Sequence, residues 1–193
     1  VGLLRDGHLG RQLKFLDVSA NKLGDAGVTA LAAVLPPTLQ IAGFAKLGCG
    51  DVGMLALARA LDLTSVGMLM CNDNPAATEA GWAALGAVLP PSRGVQSFNG
   101  CFCVRADLGD AGAAALANRL PESGILGLIA AYCGIGDAGA RALAAAIPRC
   151  IAASHVFAVE LRGNPIGPDG RAALEAAAAA AQPRLVLKLD DVA

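Results

Sequence analysis

The chain has 193 residues, a formal net charge of −1, and only 16% charged residues against 55% hydrophobic ones. Without a basic excess there is no electrostatic footprint for a phosphate backbone, so nucleic acid is excluded as an expected partner. The longest charge-free stretch, Ala26 to Ala45, is interrupted by Pro36-Pro37, and residues 1–13 carry Arg5, Asp6, His8 and Arg11, so neither a transmembrane segment nor a secretory signal is expected.

The first predicted strand lies in LKFLDVSANKL, where Leu13, Leu16, Val18, Asn21 and Leu23 spell L-x-x-L-x-L-x-x-N-x-L. The L-x-L alternation predicts a short strand with one buried face. Asn21 stands where the chain leaves that strand, and a carboxamide there can satisfy backbone groups that would otherwise be orphaned. LGDAGVTALA (23–32) follows, with Asp25 placed to cap a helix whose apolar residues Leu31 and Leu35 are four apart. Pro36 is expected to end that helix.

The same order recurs along the chain. A second, looser unit has Leu39, Ala42, Phe44, Leu47 and Cys49, then CGDVGMLALA with Asp51, Leu57 and Leu61. The third has Val66, Leu69, Cys71, Asn74 and Ala76, then AATEAGWAALG, Leu85, Leu89 and Pro90. The fourth is read as Phe98, Cys101, Cys103, Ala106 and Leu108, followed by LGDAGAAALA with Asp110, Leu116, Leu120 and Pro121. In the fifth, Ile125, Leu128, Ala130, Cys133 and Ile135 precede IGDAGARALA with Asp137, Leu143, Ile147 and Pro148. The sixth has Val156, Val159, Leu161, Asn164 and Ile166, then IGPDGRAALE, with Pro168 where the others place an acid. Leu185, Leu187 and Leu189 alternate as a closing strand over 185–189. The glycine of the helix phrase falls at 27, 53, 81, 112, 139 and 170, with spacings of 26, 28, 31, 27 and 31 residues, a repeat period.

These motifs resemble the ribonuclease-inhibitor-like class of leucine-rich repeats, over roughly Leu13 to Leu189. That class also supplies the repeats of NOD-like receptors and of the GTPase-activating proteins for Ran. The resemblance implies an α/β solenoid, a horseshoe segment with a concave parallel β-sheet and convex helices. It would form a single domain of about six repeats, near 13–38, 39–65, 66–97, 98–124, 125–155 and 156–184, within a longer array.

In that arrangement the residues between the core positions face the concave side. They are Phe15, Asp17, Ser19; Ile41, Gly43, Ala45; Met68, Met70, Asn72; Gly100, Phe102, Val104; Gly127, Ile129, Ala131; and Ala158, Glu160, Arg162. Met68, Met70, Phe102, Val104 and Ile129 are expected to form an apolar ridge, with Asp17 at one end and Glu160 and Arg162 at the other. Exposed apolar patches of this kind mark interaction sites. The expected function is therefore protein binding through this face, and the low charge fraction also suits a subunit of a multiprotein complex.

Catalytic chemistry is not expected. Cys101-x-Cys103 and Cys71 are read as buried thiols rather than as part of a zinc site, which needs four ligands. His8 and His155 belong to no recognisable motif, and neither G-x-S-x-G nor a P-loop occurs. The Gly-Asp pairs recur once per repeat, as structural punctuation does. No cofactor or metal is expected. A Ran-type GTPase-activating role, less favoured, would rest on the loop residues Arg105, Asn74, Tyr132 and Arg162. Cysteines at core positions point to a reducing, intracellular compartment, the cytoplasm or an organelle.

Overall fold

The computed structural model describes residues 12–61, 63–66, 68–87, 101–103, 108–123, 127–153, 157–181 and 183–190. Strands and helices alternate: β1 (Phe15–Asp17), α1 (Gly24–Ala32), β2 (Ile41–Gly43), α2 (Asp51–Leu61), β3 (Met68–Met70), α3 (Glu79–Ala87), β4 (Cys101–Cys103), α4 (Gly109–Ser123), β5 (Gly127–Ile129), α5 (Asp137–Ala153), β6 (Phe157–Glu160), α6 (Pro168–Ala181) and β7 (Leu185–Lys188). The seven strands form one sheet in chain order, and every neighbouring pair is parallel. Each helix packs on the next. This α/β architecture with its parallel sheet fits a leucine-rich-repeat-like fold.

The core follows from the periodicity. Leu39, Ala42 and Phe44 of the second unit are buried, as are Val66, Leu69 and Cys71, Leu128 and Ala130, and Val159 and Leu161. The helices close over them with Leu31, Leu57, Leu61, Leu85, Leu116, Leu120, Leu143 and Ile147. Each fully buried Leu or Ile contributes about 1.5–3 kcal/mol relative to an exposed one. In the third unit Ala77 is buried while Ala76, the expected core residue, is exposed.

Asparagine joins adjacent units. Asn74 is fully buried. Its Oδ1 accepts the amides of Leu47 (2.8 Å) and Gly48 (3.1 Å) from the unit before, and its Nδ2 donates to the carbonyls of Phe44 and Cys71. Asn164 repeats the pattern with the amides of Cys133 and Ile135 and the carbonyls of Ala130 and Leu161. Both carboxamides thus use donor and acceptor to tie one strand exit to the next.

The recurring acids do not cap their own helices. Leu23 stands at the N-cap of α1 and makes no side-chain cap bond. Asp25 instead accepts the amides of Gly50 (2.7 Å) and Gly53 (2.9 Å) in the following unit. Asp51 takes the amide and hydroxyl of Thr78, Glu79 the amide of Ala111, Asp110 those of Gly136 and Gly139, and Asp137 that of Gly170. Every such carboxylate satisfies orphan donors at the start of the next helix. The repeated glycine has a matching cause: an alanine Cβ at Gly53 or Gly139 would stand 2.8 or 2.7 Å from the preceding aspartate oxygen.

Two expected helix stops also fail. Pro121 and Pro148 lie inside α4 and α5. An interior proline costs about 3 kcal/mol, but the turn beyond Pro148 buries Cys150 and Ile151 in the core. That burial offsets the lost hydrogen bond. Pro90 and Leu89 lie outside the described residues.

Candidate functional site

With the inner residues of each strand covered by helices, the outer residues form the opposite face of the sheet. One column runs Asp17, Gly43, Met70, Cys103, Ile129, Glu160, Lys188. The other holds Phe15, Ile41 and Met68 at one end, and Cys101, Gly127, Ala158 and Val186 at the other. Phe15 is 55% exposed, Ile129 38% and Val186 47%, whereas Ile41, Met68 and Met70 are half-buried.

The expected ridge is only partly assembled. Met70 and Ile129 share a column, with Met68 two residues from Met70 on the same strand. In the ladder Phe102 is paired with Leu69 and Leu128 rather than with Met70 and Ile129. A slip of one residue exchanges the two faces of a strand. Cys-Phe-Cys is apolar in all three positions, so it fits an alternating pattern in either register, and the pattern alone did not decide between them. The same shift aligns Cys103 with Met70 rather than with Cys71. Val104 lies outside the described residues, as do Arg105, His8 and His155.

Where β5, β6 and β7 meet, the face sinks into an apolar trough of about 190 Å³. Gly127 and Ala158 make its floor, because a hydrogen and a methyl group leave the space unfilled, while Ile129 and Val186 stand at its sides. Glu160 and Lys188 close it. Glu160 accepts from Arg162 Nε at 3.1 Å, and Lys188 Nζ lies 3.6 Å from its other oxygen. The Arg162 hydrogen bond, aided by the charges of Arg162 and Lys188, holds the Glu160 carboxyl below its usual range; the same pairing raises Arg162 further. At the far end, Asp17 accepts the Ser19 amide at 2.9 Å, and the hydrogen bonds of Ser19 lower its pKa. Ser19 Oγ in turn accepts the Ala45 amide, so Asp17 is tied into a turn between units.

A second zone lies where the strands end. Ala20, Lys46, Asp73 and Tyr132 have φ between 56 and 61°, and Gly163 takes the same place at 71°. Non-glycine residues there carry strain of about 1–2 kcal/mol each, and the recurrence of this conformation among the described turns ties it to the turn itself. Tyr132 is exposed, its ring lying against Gly163. Asn74, expected as a loop contact, is instead structural.

Sequence reasoning missed the carboxylate bridges between units. The signal was present in the constant two-residue step from acid to glycine: Asp25–Gly27, Asp51–Gly53, Glu79–Gly81, Asp110–Gly112 and Asp137–Gly139. It also missed the trough, whose signal was the pair of small residues Gly127 and Ala158 at outward positions.

Among the described residues, no group of three His, Cys, Asp or Glu is placed to hold a metal ion. Nor is any helix there long and apolar enough to cross a membrane.

A leucine-rich-repeat family model matches the chain at residues 11–32 and again at 131–144. No curated protein matches it. Leucine-rich-repeat domains generally mediate protein–protein interaction and are typically non-enzymatic.

Proposed function

We propose that this chain is a segment of a leucine-rich-repeat solenoid of the ribonuclease-inhibitor-like class, with about six repeats, and that it holds a protein partner on the concave face of its sheet. The observation that carries this reading is the trough at β5–β7. It is an apolar hollow the size of one large side chain, flanked by exposed Ile129 and Val186 and bordered by the Glu160, Arg162 and Lys188 charges. A buried apolar anchor within a polar rim is the usual arrangement of an energetic hot spot. Met68 and Met70 extend the contact along the face, since flexible methionines adapt to a partner's shape. Asp17 marks the far limit of the surface. The contact needs no cofactor, metal or nucleic acid, and its setting is a reducing compartment.

Ile129→Glu and Met70→Glu test this reading. Both are predicted to keep the parent's circular dichroism and unfolding midpoint while lowering partner capture by more than tenfold, about 1.4 kcal/mol. Undiminished capture by the folded variants contradicts it.

A second reading, an architectural subunit of a large assembly, draws on the helix side. Val52, Leu55 and Leu63 are exposed there, and Leu63 lines a hollow of about 380 Å³ between α1 and α2. Purification from the native source at fixed stoichiometry favours this reading; exchangeable, substoichiometric binding favours the first. The Ran-type alternative loses ground, because Asn74 is buried and Arg162 is paired with Glu160.

A further inference from the structure

The trough over β5–β7 is lined by one acid and one base, Glu160 and Lys188, and the two are not equivalent. Glu160 is recessed and already engaged: its side chain is 19% exposed and its Oε1 accepts from Arg162 Nε at 3.1 Å. Lys188 is not. Its Nζ stands 3.6 Å from Glu160 Oε2, longer than a normal hydrogen bond, and its side chain is 58% exposed. An ammonium carries three donors, so donors remain for a further acceptor. The Arg162 side chain is 54% exposed beside the same carboxylate. Asp190, two residues past Lys188, accepts the Gly163 amide at 2.7 Å through Oδ2, and its carbonyl accepts from Arg171. The acids here are tied to the fold, while the cationic ends of Lys188 and Arg162 reach solvent at one edge of an apolar hollow.

The ladder fixes how far that edge lies from the hollow. Ala158 pairs with Val186, and two residues further on Glu160 pairs with Lys188. The charged row therefore lies about 6–7 Å along the strands from the row that floors the trough. An extended chain repeats the side chains of one face with the same step. An α-helix matches the hollow poorly. The strands that bound it, β5 and β7, are about 10 Å apart, and a helix with its side chains is about 10–12 Å across. In the other direction the outward column runs Ile129, Cys103, Met70 and Gly43 before it meets Asp17. A partner's acid next to the hollow is thus matched on one side only.

We propose that the trough takes one large apolar side chain from an extended, acidic segment of the partner protein, and that an aspartate or glutamate two residues from this anchor lies on the Lys188 ammonium beside Arg162. This rests on the reading that a protein partner occupies the outer face of the sheet. It adds the conformation of the bound segment, the charge it carries and the spacing of its two recognised residues.

The test pans a displayed library of random nonapeptides against the whole chain, and repeats the panning against Lys188→Glu and Ala158→Met, each first shown to be folded by circular dichroism. On the parent, enriched sequences should share a large apolar residue with an Asp or Glu two positions away, in either direction. A synthetic peptide of that pattern should bind about fivefold more weakly when its acid is changed to Gln, and more than tenfold more weakly when its apolar residue is changed to Ala. Lys188→Glu should move the selected charge to Lys or Arg at the same step. Should that variant not fold, Lys188→Gln carries the comparison, with the acid preference lost. Ala158→Met should abolish enrichment, because its side chain fills the hollow. No enrichment on the parent, an anchor-to-acid separation of three or four residues, or unchanged selection on the Lys188 variant would overturn the proposal. Peptides that bind without an acid preference but are lost on Ile129→Glu would overturn it and leave the outer-face reading standing. Peptides indifferent to Ile129→Glu would contradict both.

Discussion

Asp110 and Gly139 belong to successive units, and one carboxylate oxygen binds both to the helix that follows. Asp110 Oδ1 accepts the amides of Gly136 and Gly139 at 2.8 Å each. The same oxygen would lie 2.7 Å from an alanine Cβ at 139, so acid and glycine are two halves of one contact. Asp110→Ala orphans two helix-start amides and should cost about 1–3 kcal/mol. Gly139→Ala should cost about 1–3 kcal/mol by overpacking. The double variant should cost less than the sum, because removing the carboxylate relieves part of the crowding. Urea unfolding of the four proteins checks this; strict additivity would show that the two positions are not coupled.

Asn74 and Asn21 occupy equivalent places but should differ in weight. Asn74→Ala strips partners from the buried Leu47 amide, the Gly48 amide and two carbonyls, and should cost about 3–5 kcal/mol. Asn21→Ala, at an exposed position with two donated bonds, should cost about 1 kcal/mol. Unfolding midpoints compared at constant slope measure the difference.

The acid limb of stability should respond to Thr78. Its hydroxyl and amide hydrogen-bond Asp51 and hold that carboxyl below its ordinary 3.8. A lowered folded pKa stabilises above the unfolded value, and the contribution is lost as pH falls through the folded value. Thr78→Ala removes the hydroxyl bond, so it should lower stability at neutral pH and shrink the loss as pH falls below about 4. Thermal midpoints across that range check the sign. An unchanged acid limb would mean that Asp51 is not so held.

Burial pushes the Cys49 and Cys150 thiols up to about 11. At pH 8 about one in a thousand of either is thiolate, so both should resist alkylation in the folded chain and react readily after denaturation. Peptide mapping after a timed iodoacetamide pulse distinguishes them; fast native labelling at either site would show that it opens to solvent.

Much of this was legible in the sequence because the repeat states each rule several times. Leu39, Leu69, Leu128 and Val159 reach the core as their periodicity requires, and the buried Asn74 and half-buried Asn164 satisfy backbone groups of two adjacent units. What was not legible depends on neighbours distant in sequence. Asp25 looks like a cap for its own helix, yet its partners are Gly50 and Gly53, more than twenty residues on. Phe102 shows the second limit: three consecutive apolar residues carry no period, so the ladder with Leu69 and Leu128 had to set the register. The trough required both Gly127 and Ala158 to be placed side by side.

The claim that a protein partner sits on the outer face of the sheet is tested most directly by a photo-crosslinking residue introduced singly at positions 129 and 186, with Ala145 on the helix side as control, in extract of the native source. The account predicts one discrete, saturable adduct from 129 and 186 and none from 145, abolished by Met70→Glu in the same chain. Adducts from 145 alone, or equally from all three positions, would contradict it.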